Sequence, residues 1–345
     1  MRNSPPTTDE VRQRELPACV CSSESAGKQD AYPTGMVVNF TWLTDWLAYV
    51  AVRLVICIIQ AMRIETCHAI ARNVAWIAND VVKIRGAVID ENLCNVFPNL
   101  SLDERRRMSR QMWEHLLLMV CEIALAPRKI HRNNWHDHIS IRGRRELVQN
   151  LIDPRPTVLI TGHFGNFEIG GFATGLLGFP SFTVARTLDN PYLDRYINSF
   201  RGANGQFILP KNGSSAQVQA VLASGGVLSL LGDQYAGPKG CWVDFLGRPA
   251  SCHKAIALFP MTSGAPLLAA ATTRNGRPLK FEISFLGVLD PAISPDAASS
   301  VPDITRWYNE RLEEAIRLVP EQYWWVHRRW KGTPPKRMLA RRQAA

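Results

Sequence analysis

Thr157-Val158-Leu159-Ile160-Thr161-Gly162-His163-Phe164-Gly165-Asn166-Phe167-Glu168 carries an apolar run straight into a glycine-flanked turn. Residues 157–161 are β-branched or aliphatic throughout, the pattern of a strand buried on both faces. Gly162 ends the run, and a helical pattern follows over about 166–177. Further apolar strands are expected at 139–142, 182–185, 226–231, 266–272 and 279–286. Helical patterns intervene at about 191–203, 213–224 and 252–263, with a last helix over about 302–318. Strands alternating with helices predict an α/β fold, a mostly parallel central sheet flanked by helices. There is no internal repeat.

Upstream the pattern is helical. Residues 42–62 turn apolar around Arg53, a length on the border of a membrane span, which needs roughly 20 apolar residues. An interfacial helix with Arg53 snorkelling to the surface fits better than a clean span; an amphipathic helix packed on the protein's own core is the alternative. Helices are expected over about 66–85 and 101–125, the second opened by a Ser101/Glu104 capping box. Residues 92–99, with Phe97-Pro98-Asn99, read as a loop. The organisation is then a disordered tail over 1–35, a helical region over 36–126, an α/β core over 127–332 and a basic tail over 333–345. The tail at 1–35 is polar and aperiodic, and Met36 is a candidate start.

Of the 345 residues, 46% are hydrophobic and 20% charged, which excludes a disordered chain and a polytopic membrane protein. The formal net charge of +10 favours anionic partners, with basic clusters at Arg105-Arg106-Arg107, 142–145 and 328–342. Eight cysteines are scattered without a C-x-x-C pair, which argues against zinc and for a reducing, cytoplasmic setting. No apolar h-region precedes Cys19, so a lipoprotein leader is not supported.

His163 ends a strand and Glu168 lies one turn into the helix. In an open α/β sheet that edge is where ligands sit. The spacing lets Glu168 accept from one ring nitrogen of His163 and leave the other free as a base. With no serine or cysteine nucleophile beside them, the acceptor would supply its own hydroxyl. That hydroxyl would attack an acyl thioester, and amides at the helix start would hold the oxyanion. An isolated pair of this kind also fits a core histidine and a surface glutamate. The glycines and the strand–turn–helix setting favour chemistry.

His163-Phe164-Gly165-Asn166-Phe167-Glu168 resembles the His-x4-Asp/Glu box of the lipid A biosynthesis lauroyl/myristoyl acyltransferases, within the lysophospholipid acyltransferase-like superfamily. Arg186-Thr187-Leu188-Asp189-Asn190-Pro191 is similar to the family's Arg-Pro-x-x-Asn-Pro segment, with Thr187 in place of proline. Gly232-Asp233-Gln234 and Phe245-Leu246-Gly247-Arg248-Pro249-Ala250 resemble two further blocks. Pro320-Glu321-Gln322-Tyr323-Trp324-Trp325-Val326-His327-Arg328-Arg329 resembles the C-terminal one. The resemblance spans roughly residues 40–332 and implies a glycerol-3-phosphate acyltransferase-like fold with an N-terminal membrane-associated helical segment. It also implies His163 as base with Glu168 as its orienter, and substrate-binding roles for Arg186, Arg201, Asp233, Asn166, Gly165 and Arg248. Arg201 would bind acceptor phosphate, and Asp233 would order the site or hold a sugar hydroxyl. The implied partners are acyl carrier protein as thioester donor (or acyl-CoA), a glycolipid acceptor and anionic membrane lipids, with no cofactor, at the cytoplasmic face of the inner membrane as a peripheral or singly anchored protein. Phosphatidylinositol mannosides are alternative acceptors.

Other constellations are weaker. His131, His136 and His138 lie in a polar stretch that suits a linker better than a metal site. His253 reads as a residue near a helix start. Trp324, Trp325 and Trp330 among Arg328, Arg329 and Lys331 suit a bilayer interface or core packing, and no nucleic-acid signature accompanies them. A catalytically idle membrane-binding protein and a hydrolase that loses the acyl group to water are the competing functions.

Overall fold

The computed structural model describes residues 41–336 and 338. The expectation of a disordered tail over 1–35, and of most of the basic tail over 333–345, lies outside the described residues. The apolar stretch is one helix, α1 (Thr41–Ala61), whose 21 residues span about 31 Å. By length and composition it can cross a bilayer. Only Ile59 is buried, and Leu47, Leu54, Val55 and Ile58 face outward. Arg53 does not snorkel as expected. Its guanidinium lies 4.6 Å from the Tyr196 ring centroid and donates to the Tyr49 hydroxyl at 3.1 Å, so aromatic faces hold the charge against the protein.

The helix expected over 66–85 is shorter. It runs as α2 (Ile64–Trp76), loosens into a π-helical turn over Ile77–Val81, and reverses at Lys83 and Arg85, both with positive φ. The expected loop at 92–99 holds for residues 97–99 and is corrected for residues 92–96. A third helix, α3 (Gly86–Val96), buries Ile89, Leu93 and Val96, a helical spacing that the polar residues between them obscure. Buried Asn92 donates to the carbonyls of Trp325 and His327 at 2.8 and 3.0 Å. The capping box opens α4 (Leu102–Lys129): Ser101 Oγ accepts from the Glu104 amide, and the Glu104 carboxylate takes the Ser101 amide at 2.8 Å. Asp103 and Glu104 in its first turn and Arg128 and Lys129 in its last oppose the helix dipole.

The remainder alternates: β1 (Ile139–Arg142), α5 (Arg144–Leu151), β2 (Thr157–Thr161), α6 (Phe167–Leu176), β3 (Ser181–Ala185), α7 (Pro191–Gly202), β4 (Gln206–Pro210), α8 (Ser215–Ala223) and β5 (Val227–Leu231). A hairpin follows, β6 (Cys241–Phe245) and β7 (Arg248–Cys252). Its two-residue turn sets Leu246 and Gly247 at positive φ, as a primed turn requires. Then come α9 (Lys254–Ser263), β8 (Leu267–Arg274), β9 (Phe281–Leu289) and α10 (Val301–Leu318). The sheet order is β1-β9-β8-β2-β5-β3-β4. The five strands β8, β2, β5, β3 and β4 are mutually parallel, while β9 is antiparallel to β8 and β1 parallel to β9. One buried cluster joins Ile59, Cys67 and Leu125 of the helical segment to Leu159, Phe172, Ala270 and Ile283. The sheet and the N-terminal helices therefore share a core.

Candidate active site

The turn from β2 into α6 is fixed from behind. Gly165 has φ +59°, and a Cβ there would lie 2.0 Å from the Thr272 carbonyl oxygen, so only glycine fits. The Gly165 amide donates to Gln322 O at 3.0 Å, the Asn166 amide to Thr272 O at 2.7 Å, and His115 Nε2 to Gly165 O at 3.1 Å. Fully buried Asn166 accepts from the Ile169 amide, capping α6, and donates to Glu122 at 3.1 Å. Glu122 is itself sealed from solvent and takes two hydrogen bonds of 2.7 Å from Arg274. Arg274 also donates to His115 Nδ1 at 2.9 Å. Burial, and then the Arg274 charge, push the His115 pKa down to about 3, so its ring is neutral and donates through Nε2.

His163 stands on this support with both ring nitrogens engaged. Nδ1 lies 2.8 Å from Asp233 Oδ1, and the His163 amide donates to Asp233 Oδ2 at 2.8 Å. A carboxylate can only accept, so Nδ1 carries the proton and Nε2 presents a lone pair. Gln234 Nε2 donates to that lone pair at 3.0 Å. Burial opposes the charged ring, but the Asp233 carboxylate outweighs it and holds the His163 pKa above the ordinary histidine value. Asp233 lies at the end of β5, beside His163 because β2 and β5 are parallel and in register. Burial opposes its charge too. His163, through charge and two hydrogen bonds, and the more distant Arg329 keep it below the usual carboxylate range. Phe167 and Trp324 flank the imidazole, with centroids 5.2 and 5.0 Å away.

The expected His163–Glu168 hydrogen bond is absent. Glu168 points along α6 to Arg201 of α7, which grips both carboxylate oxygens, one through Nε at 3.1 Å and the other through Nη2. A guanidinium fork satisfies a carboxylate better than one imidazole N–H does, and the neighbouring strand end brings Asp233 closer to Nδ1. Asp233 therefore holds the orienting position.

These groups line a cavity of about 790 Å³, large enough for a lipid chain and headgroup. Its walls include His163, Glu168, Arg201, Arg186, Gln234 and Trp324. One region is apolar, with Leu147, Leu159, Ala270 and Ile283 beneath α6. Asp233 lies just behind the wall. Gly165 and Asn166 shape the turn without lining the cavity. Arg248 is outside it, stacked 5.3 Å from the Trp330 centroid. Arg186 is an exposed rim residue paired with Asp189. Sequence reasoning gave Gln234 and Trp324 no site role. Gln234 was legible as the neighbour of Asp233 at a strand end, whereas Trp324 reaches the site only through a long-range contact, its amide donating to His163 O at 3.2 Å.

Arg329, read as part of a basic surface cluster, is instead buried. It donates to Ser251 O at 2.7 Å and Cys252 Sγ at 2.9 Å and lies 5.1 Å from the Phe245 centroid. Tyr323 and Trp325 are buried with it, as core packing predicts and nucleic-acid stacking does not. Among the described residues no three His, Cys, Asp or Glu side chains are grouped to hold a metal ion.

The profile of the bacterial lipid A biosynthesis acyltransferase family matches residues 36–332. The chain belongs to that family. Its relatives include the lipid A biosynthesis lauroyltransferase of Escherichia coli, 25% identical over 84% of this chain and 92% of that protein. The palmitoleoyltransferase of the same organism is 24% identical over 74% of this chain and 82% of that one. The 1-acyl-sn-glycerophosphate acyltransferase PlsC of Thermotoga maritima superposes with a TM-score of 0.38 at 12% identity, over 78% of this chain and all of that one. The family makes the protein an O-acyltransferase of the lipid A type with a lipid acceptor. Its apolar α1 is compatible with association with the inner membrane.

Proposed function

We propose that this lipid A-type acyltransferase moves a fatty acyl group from an acyl carrier protein thioester to a hydroxyl of a glycolipid precursor at the cytoplasmic face of the inner membrane. The observation that carries this reading is the His163 imidazole, oriented by Asp233 and presenting Nε2 to a lipid-sized cavity. The acceptor hydroxyl takes the place of Gln234 on Nε2 and gives up its proton there as its oxygen attacks the thioester carbonyl. The tetrahedral intermediate collapses with cleavage of the C–S bond, and the thiolate leaves with the proton held by His163. The amides of Gly165 and Asn166 are already committed to Gln322 and Thr272. The Ile169 amide is committed to Asn166, so the oxyanion falls to the Phe167 and Glu168 amides at the start of α6. Arg201, held by Glu168, presents a cation to the anionic part of a substrate.

Replacing His163 with Ala should lower acyl transfer by at least about 10²-fold, with the melting temperature retained. Transfer should be assayed with both acyl carrier protein and coenzyme A donors, following acylated glycolipid by mass spectrometry. Undiminished turnover in His163→Ala, or free fatty acid released equally with and without acceptor, would defeat the proposal.

A further inference from the structure

The cavity folds over the C-terminal edge of the sheet. Leu159, Ser229, Leu231, Thr183 and Ala185 line it from one face, sharing that face by register. Leu230 and Val184 alternate with them and turn to the opposite face. They line a second arm of the cavity, whose wall also includes Val218 of α8 and Ile256 and Phe259 of α9. This second arm lies across the sheet edge from the Glu168–Arg201 pair, and its polar end is built differently. The starts of α8 and α9 both open onto it, through Ser214 and Ser215 and through His253 and Ala255. Neither helix has a side-chain cap; in α9 the Ile256 amide turns back to the His253 carbonyl at 3.3 Å, which leaves the Lys254 and Ala255 amides at its start, beside those of Ser215 and Ala216 in α8, without a capping side chain.

A second observation points to a ligand. Ser214 is 5% exposed and lines the cavity, yet its hydroxyl makes no capping bond and has no partner among the described residues. Lys211 reaches the same end, and no carboxylate among the described residues pairs with it. Among the described residues Glu168 is the one acid on the cavity wall, and Arg201 already holds it. His253 is close enough to feel Lys211: burial first, and then that charge, keep its pKa below the ordinary histidine value.

We infer that Lys211, Ser214, His253 and the starts of α8 and α9 form a subsite for a phosphate ester. Two converging helix starts, a buried hydroxyl, an imidazole and an ammonium supply donors without an acceptor to compete. The inference rests on the acyl-transfer reading only for the source of the phosphate. The pantetheine phosphodiester of the donor and a phosphate on the acceptor headgroup share this chemistry.

The test measures equilibrium binding to the full chain, separately from turnover. 4′-Phosphopantetheine is compared with pantetheine, and glucosamine phosphate with glucosamine. The phosphorylated member of one pair should bind about tenfold tighter or more, equivalent to about 1.4 kcal/mol. The pair that discriminates names the source. Lys211→Met, at an exposed position, should remove most of that preference, and Ser214→Ala part of it, with melting temperatures unchanged. His163→Ala should keep the preference. Absence of preference in both pairs, or a preference that survives in the Lys211→Met/Ser214→Ala double variant, overturns the subsite. A chain that discriminates phosphate but transfers no acyl group would leave the subsite standing and remove the proposed reaction.

Discussion

At residue scale the site turns on which carboxylate faces the imidazole. Asp233 holds His163 Nδ1, and its charge keeps the ring's pKa above the ordinary value against the pull of burial. The base works neutral, so activity should fall as pH drops through that raised value. Asp233→Asn removes the charge, leaves burial dominant, and should shift this acid limb to lower pH. It should also cost on the order of 10³–10⁴-fold in kcat, because asparagine no longer enforces the Nδ1–H tautomer. Glu168→Gln should loosen Arg201, raise KM and move the acid limb less, since Glu168 acts on His163 only through distance-weakened charge. A pH–rate series on both variants checks the assignment; a larger shift in Glu168→Gln would return the orienting role to Glu168. His163 and Asp233 were both legible as strand-end residues followed or preceded by glycine. Their pairing was not, because local spacing favours Glu168 while strand register, which sequence does not display, brings Asp233 across.

At the scale of elements, α4 acts as the back support of the catalytic turn. Glu122 and His115 on its buried face meet Arg274 of β8 and, through Asn166 and Gly165, the start of α6. Glu122→Ala leaves a buried guanidinium unpaired and should destabilise the fold by about 3–5 kcal/mol, read from denaturant midpoints. His115 carries a pH signature. Its folded pKa of about 3 lies below the unfolded value of 6.5, so below pH 6.5 the unfolded chain binds a proton that the folded chain refuses. Stability should therefore decline from pH 6.5 toward 3, with His115 contributing about 1.4 kcal/mol per pH unit. His115→Gln should flatten that slope in the same titration. Most strands and helices were legible from periodicity alone. The misses have physical reasons: α3 hides its apolar spacing behind polar residues such as Asn92, which bonds to the C-terminal segment, and α5, β4 and the two strands of the β6–β7 hairpin are too short to display a period.

Across the whole molecule, apolar surface is concentrated on α1. Leu47, Leu54, Val55 and Ile58 are each more than half exposed, too large a burden to leave in water without a partner. Leu54→Glu/Ile58→Glu should reduce co-sedimentation with anionic vesicles while leaving the thermal transition in detergent intact; equal binding by variant and parent would place the contact elsewhere. Gln322 takes the Gly165 amide and brackets Arg274 through two hydrogen bonds, and Trp324 clasps the His163 carbonyl. The catalytic turn is thus finished by a stretch of chain made well after the histidine itself. Until residues 322–324 have left the ribosome the turn lacks this wall, so a transferase of this build gains its chemistry only once that later stretch has joined the fold. Premature termination before Gln322 would leave the histidine present but unsupported.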